Sequence, residues 1–599
     1  MLLPRRAEVP ENLTWDLKDL YETPRHMLRE LAQAEELVQR LQDFRGRLAD
    51  PEQIAGCLSL LEGYLERKNR VSCYAELSLA VDYTEPEAQA LERQTADRLS
   101  CADSRVSFVR HELRGCPDEL LREVAAAHPR FGRFLEDLIR TRPHALGEEA
   151  ERVLSSLTPV FDLPFRMYRT IKLADLRFDP FEVDGRRYPL GYSLFEDRYE
   201  YEKDTRVRRA AFEAFSRRLR SVENATAAAY LAQVRQEKIL SELRGYDSVF
   251  DMLLEEQKVP REAYDAHLDT FFEGIAPPMR RYVRLLTRVH HLDELTFADL
   301  KLPLEPDADP ELEIGKAEAL LLEGLRPMGE DMETMVRRAF SGRWIDVAQN
   351  EGKETGGFCE SPYGCHSYIL MTWQNRMSDV LTLAHELGHA LHFGLIGREC
   401  SVFDAEPSRY LLEAPSILNE MVMAGCLLQR TQDLRQRRWV LSCLIGDTCY
   451  HNCVTHLLEA VWQREVYRRV DRGEALTTGD LSGMMREVLE TFWEGEVRLL
   501  PGAELTWMRQ PHYYMGLYSY TYSAGLSIGT QMARAILEEG EPARQRWKQA
   551  LSAGGRVTPG EFARRAGVEI RDGHAARETV KTVETLVKLV EELTCRLDN

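Results

Sequence analysis

Residues 377–397 read MSDVLTLAHELGHALHFGLIG, and three histidines and a glutamate in this stretch are spaced for chemistry. On a helix advancing about 100° per residue, His389 and His392 fall near His385, while Val380, Leu383, Ala384, Leu387 and Leu391 cover the opposite face. Neutral imidazoles one turn apart reach a single Zn²⁺ at about 2.0–2.1 Å, and Glu386, about 100° round from His385, stands beside the metal without ligating it. The HExxH pattern therefore predicts hydrolysis by activated water, with one zinc ion per chain on His385 and His389 and Glu386 as general base. A second stretch, His111-Glu112-Leu113-Arg114-Gly115, begins the same way but carries glycine at the second ligand position, and it reads as a helix end without function.

A catalytic zinc takes three protein ligands and keeps one position open. The metzincin arrangement would place Gly and His three and six residues beyond the second histidine; His392 and Leu395 stand there and exclude it. The downstream carboxylates are Glu399, Asp404, Glu406, Glu413 and Glu420. Glu413 opens EAPSILNEM, where Pro415 suits the first turn of a new helix and Glu420 follows on the same face about 10.5 Å along. A helix packed on the first would direct Glu413 at the metal and leave Glu420 to hold a ligand imidazole by its other N–H, with Glu406 as the competing ligand on spacing alone.

Hydrolysis also needs donors for an oxyanion, and residues 512–522 offer His512, Tyr513, Tyr514, Tyr518, Tyr520 and Tyr522. Tyr518, Tyr520 and Tyr522 alternate as in a strand, whereas Tyr514, Tyr518 and Tyr522 repeat as in a helix, so the same tyrosines also read as an aromatic core element. Before the zinc helix, residues 352–373 read as a glycine-rich turn running into a β-rich stretch, Ser367 to Trp373, whose edge could bind extended peptide through its main chain. Cys359 and Cys365 lack a neighbouring CxxC and read as incidental thiols. In CYHNCVTH, residues 449–456, Cys449, Cys453 and His456 share one face of a regular helix, yet thiols inside a long helix are usually core fillers.

HELGHALH (385–392) followed by LLEAPSILNE (411–420) resembles the thimet oligopeptidase family of zinc metallopeptidases, and its oligoendopeptidase F branch in particular. TWDLKDLY (14–21), RRAAFEAF (208–215), LRGYDSVFDMLLEEQKVPREAYD (243–265) and PHYYMGLYSYTYSAG (511–525) are similar to further segments of that branch, so the resemblance spans nearly the whole chain. It implies Glu413 as third ligand and His512, Tyr514 and Tyr520 as catalytic residues. It also implies a mostly α, two-lobed body with a deep cleft, and endopeptidase action on short unstructured oligopeptides. The alternatives are an exopeptidase, for which no terminus-binding group is identifiable, and a peptide-binding scaffold without catalysis, which would have no use for Glu386.

The elements that must hold this site are helices. Apolar residues recur three and four apart at 28–44 and 210–236, Asp184-Gly185 marks a hairpin within 181–194, and Asp204-Thr205 can cap the run that follows. These features divide the chain into an N-terminal helical lobe, 1–200, and a zinc peptidase domain, 201–599, with a small β element near the zinc helix. Pro303, Pro306 and Pro310 read as a surface loop, and 578–593 as an amphipathic helix packed on the body. Length, 599 residues, asks for more than one core, and a net charge of −20 disfavours nucleic acid and anionic membranes as partners. The interrupted apolar start and twelve scattered cysteines lead to the expectation of a cytoplasmic chain without structural disulfides.

Overall fold

The computed structural model describes residues 4–305, 308–354 and 356–598, so Pro306 lies outside the described residues. The N-terminal part is built on three long helices, α1 (Pro24–Leu41), α2 (Pro51–Ala80) and α3 (Pro86–Gly115). Each begins on a side-chain cap, Thr23, Asp50 or Glu85, followed by a proline whose missing N–H costs nothing there. Met27, Leu31, Ala34, Val38 and Leu41 bury one stripe of α1, and further apolar residues from α2, α3 and 118–138 close a core separate from the main one. The HExxH look-alike lies near the end of α3, where the Glu112 carboxylate accepts from the Gly46 N–H (2.8 Å) and pins a turn.

Beyond it, β1 (Phe181–Val183) and β2 (Arg186–Tyr188) form the expected hairpin, with Asp184 and Gly185 at φ 51° and 75° as a two-residue turn requires. Phe181, Phe195 and Tyr199 pack into the main core. The periodic run at 210–236 is two helices, α4 (Thr205–Arg220) and α5 (Glu223–Leu243), broken at Ser221 and Val222; the Asp204 carboxylate caps α4 by accepting from the Arg206 N–H. α6 (Arg261–Val289) crosses the core behind them.

Around the zinc motif the chain makes a three-stranded sheet of β3 (Ile345–Asp346), β4 (Phe358–Glu360) and β5 (Tyr368–Leu370), in the order β3-β5-β4. β5 pairs parallel with β3 and antiparallel with β4, which leaves β4 at an edge. The stretch expected as an edge strand, 367–373, instead holds β5 at the centre of the sheet, paired on both sides, and the edge is β4, in the stretch expected to be a glycine-rich turn. Trp15 and Leu77 from the N-terminal part pack on Tyr368 and Leu370, fastening the two parts beside this sheet.

The site helices follow: α7 (Ser378–Glu399), α8 (Ala414–Arg430), α9 (His456–Asp471), α10 (Tyr520–Glu539) and α11 (His574–Asp598). α8 is packed against both α7 and α10, and α11 buries Val583, Val587, Val590 and Leu593 as one stripe against α6 and α10. Residues 409–430 are long and apolar enough to cross a membrane by composition, but 61% of that window is buried within the protein and it carries Glu413 and Glu420 inward. Between the two parts the molecule is hollow. One cavity of about 540 Å³ is walled by Cys359, Glu360 and Phe393, another of about 940 Å³ by Arg409 and Tyr514, and both touch Arg110, Phe134 and Phe403.

Candidate active site

The oily face of α7 is buried as its periodicity predicts, with Val380, Leu383, Ala384, Leu387 and Leu391 packed in the core. His385 and His389 point the other way, and their Nε2 atoms lie 3.2 Å apart. Glu413 stands at the N-cap of α8, where Glu413 Oε2 is 3.4 Å from His385 Nε2 and 3.5 Å from His389 Nε2. Tetrahedral ligands at about 2.0–2.1 Å from one zinc ion are about 3.3–3.4 Å from each other, so the three donor atoms already have the spacing that ion requires. Their chemistry, two imidazoles and one carboxylate, fits as well.

Small residues allow this convergence. A Cβ on Gly388 would lie 2.5 Å from the Pro415 carbonyl, and one on Gly525 would lie 2.5 Å from the Glu413 Cβ, so α7 and α10 approach the start of α8 only because both are glycine. Outside the three donors, His385 Nδ1 donates to Glu420 Oε1 (2.6 Å), and the Thr448 hydroxyl donates to the other Glu420 oxygen. Burial opposes charge on His385, but hydrogen bonds to Glu413 and Glu420 outweigh it and hold the imidazole well above its usual range. Burial likewise works against the Glu413 carboxylate, and the two imidazoles reverse it, holding Glu413 well below the ordinary range.

Glu386 is 6% exposed and sits one residue round from His385. Burial raises its pKa, and the charges of Glu413 and Glu420 add to the effect against the two histidines, which makes it a stronger proton acceptor than a surface carboxylate. A Cβ placed on Gly357 would come within 3.3 Å of Glu386 Oε1, so the open edge of β4 begins beside this carboxylate. His392, expected on the same face as the ligands, is turned into the core between Phe393 and Phe562, where burial lowers its pKa to about 3. The distance round the helix is small, but three further residues carry it under the neighbouring chain.

The tyrosine segment divides at the start of α10. Tyr520 is directed into the core: its hydroxyl donates to Gln257 Oε1 (2.7 Å) and its ring packs on Tyr264 and Tyr410, away from the metal ligands. Tyr514 packs on Tyr168 and Tyr230 in the wall of the larger cavity. The tyrosines that feel the Glu413 charge are instead Tyr518 and Tyr522, four apart across the helix start. Burial raises both phenols, Tyr518 to about 12; Glu413 is the next cause at Tyr518, while at Tyr522 the Tyr518 phenol comes before Glu413, and both remain donors. His512 stands with them, its Nε2 3.3 Å from the Tyr522 hydroxyl. The resemblance named Tyr514 and Tyr520; Tyr518 and Tyr522, which recur at helical spacing, are the tyrosines that lie in the field of Glu413.

The pattern described as Peptidase family M3 matches residues 198–582, well over half of the chain, and that described as Oligopeptidase F matches 112–178. The chain belongs to peptidase family M3. Among relatives of this M3 peptidase, the Oligopeptidase PepF of Bacillus subtilis is 26% identical over 99% of the chain and 88% of its own length. An Oligoendopeptidase F homolog of Lactococcus lactis is 24% identical over 98% of each. The fold is shared with the crystal structure of oligoendopeptidase-F from Enterococcus faecium, at a TM-score of 0.75 and 21% identity over 95% of this chain and 98% of that one. It is shared also with a crystal structure from Chlamydophila abortus, at 0.84 and 20% over 98% and 100%. The M3 chain is thus a mostly α oligopeptidase enzyme of the oligoendopeptidase F group.

The remaining carboxylates of the M3 peptidase fall elsewhere. Glu406 lines the smaller cavity, and Asp404 is buried in a turn with its pKa raised to about 6 by burial. Cys449 and Cys453 do not converge with His456: the Cys453 thiol donates to the Cys449 carbonyl (2.9 Å), and no metal-capable group among the described residues includes a cysteine. The reason is local winding, since 444–449 and 451–455 are π-helical and shift every residue off the face a regular helix would give it.

Proposed function

We propose that this enzyme is a zinc endopeptidase that cuts internal bonds of short unstructured oligopeptides, with His385, His389 and Glu413 holding the metal. The observation that carries the reading is the 3.2, 3.4 and 3.5 Å triangle of donor atoms with Glu386 beside it. Zinc held there supplies Lewis acidity toward the scissile carbonyl and lowers the pKa of water toward about 7. Glu386 takes the proton of the attacking water and returns it to the leaving amine. His512 and Tyr522, with Tyr518 next to them, donate to the developing oxyanion, the role that Tyr520 cannot fill from the core and that Tyr514 fills less directly from the cavity wall. The open edge of β4 holds the peptide by its main chain, which favours extended chains of many sequences. Enclosure between the two parts of the molecule supports exclusion of folded proteins.

The test is a fluorogenic peptide blocked at both ends, with products mapped by mass spectrometry. Cleavage inside the peptide, abolished by chelation and lost about 10²–10⁴-fold in Glu386→Gln while zinc stays bound, is expected. Turnover by Glu386→Gln at the wild-type rate would remove the assigned base, and cleavage only of unblocked peptides would make the enzyme an exopeptidase.

A further inference from the structure

The π-helical stretch that displaces Cys449 and Cys453 also creates something. Its winding brings residues five apart onto one line, and His451 and His456 are five apart: their Nε2 atoms lie 3.2 Å from each other. That is the separation of His385 and His389 at the first site. The likeness extends outward, because His456 Nδ1 donates to Glu459 Oε2 (2.7 Å) as His385 Nδ1 donates to Glu420 Oε1 (2.6 Å). A histidine fixed through one nitrogen by a buried carboxylate, with its other nitrogen paired to a second imidazole, is the arrangement metal-binding histidines adopt. Burial keeps the His456 imidazole below its usual range, so it is neutral and has a lone pair to give.

Two further features of the cluster ask for a cation. Glu459 is 1% exposed, its ion-pair neighbours among the described residues are histidines only, and its Oε1 is buried without a partner. The Nδ1 of His512, 3.9 Å from Glu459 Oε2, is buried without a partner as well. Burial works against the Glu459 carboxylate, and His456 and His512 hold it down at about 2, so an anion stands beside the imidazole that would carry a dication. His456, Glu459 and His512 could also be read as one triangular ligand set. Its 2.7 and 3.9 Å edges depart from the near-equal spacing of the first site, and the short edge is a hydrogen bond. The pair of Nε2 atoms is the better seat. His451 is solvent-exposed and its ring lies 5.5 Å from that of Tyr522, so the seat opens toward the catalytic site.

We infer that His451 and His456 form a second site for a borderline divalent metal such as Zn²⁺, oriented by Glu459, and that its occupation inhibits the enzyme. The inhibitory half rests on the endopeptidase reading; binding does not. Inhibition follows from position, because the His456 ring is stacked on Tyr522 (centroids 4.0 Å) and lies 4.8 Å from the His512 ring, so a dication there immobilises the two oxyanion donors.

Zinc stoichiometry by elemental analysis, after dialysis of the full-length protein against excess Zn²⁺, is the primary test. Wild type should hold two ions, His451→Gln one and His385→Ala one, with far-UV circular dichroism unchanged. Glu459→Gln keeps both imidazoles and should weaken the second site about 10- to 100-fold. In the peptide assay, excess Zn²⁺ should inhibit wild type, and the midpoint should rise at least about tenfold in His451→Gln. One ion in wild type, two ions in His451→Gln, or unchanged second-site affinity in Glu459→Gln would overturn the site. Two ions with full activity would overturn only the inhibition, and one-ion wild type with normal turnover leaves the endopeptidase reading standing.

Discussion

The carboxylate of Glu420 binds no metal in the proposed arrangement, yet it fixes His385 through Nδ1 and is itself held by Thr448. Glu420→Gln should therefore lower zinc affinity about 10- to 100-fold, read by competition with a chromophoric chelator, while leaving the helices intact. Affinity equal to wild type would mean the contact positions nothing. The tyrosines separate by a paired substitution. Tyr522→Phe should lower kcat about 10- to 1000-fold with little change in thermal stability, whereas Tyr520→Phe should leave kcat and cost about 1 kcal/mol through the lost bond to Gln257. The reverse pattern would restore Tyr520 to the oxyanion. At this scale His385, Glu386 and His389 were legible because one helix turn relates them, and helix geometry needs no knowledge of the rest of the chain. The placement of Tyr518 and Tyr522 near Glu413 and of Tyr520 in the core was not, since it depends on where α10 starts and which way it faces.

At the scale of elements, α7 and α8 meet at a point with no spare room. Gly388→Ala sets a methyl group 2.5 Å from the Pro415 carbonyl, and backbone on both sides cannot rotate away as a side chain would. The helices should part by a fraction of an ångström, opening the 3.4 and 3.5 Å edges to Glu413; a destabilisation of about 1–3 kcal/mol in urea unfolding and a loss of zinc retention should appear together. Destabilisation without weaker zinc binding would show that Glu413 follows its partners. The π-helical turns are the element that periodicity could not reveal. Apolar and polar residues at 444–455 fit a regular helix equally well, and only packing against the neighbours decides that extra residues are accommodated in wider turns.

For the molecule as a whole, burial of ionisable groups between the helices makes stability depend on pH. Glu237 is 6% exposed, accepts from Gln233 Nε2 (2.9 Å) and from the Tyr467 hydroxyl, and burial raises its pKa to about 7. Between pH about 4.5 and 7 the unfolded chain has released this proton while the folded chain retains it, so the group's contribution falls as pH rises through that window. Glu237→Gln has no proton to lose. Relative to wild type it should gain stability from pH 5 to pH 8 by up to about 3 kcal/mol in urea unfolding, and a difference that does not change with pH would refute the assignment.

Local periodicity by itself determined the mostly α character, the hairpin at Asp184-Gly185, the capped start of α4 and the two imidazoles with their neighbouring carboxylate, because each depends on residues within a few turns. The resemblance carried by short motifs pointed to Glu413, which spacing left in competition with Glu406. Tertiary structure alone decided that Glu413 Oε2 completes the triangle, that β4 is an open edge, that His392 and Tyr520 face inward, and that His451 meets His456. Those outcomes are set by contacts between segments far apart in the chain, where no repeat within one segment specifies which face its neighbour will cover.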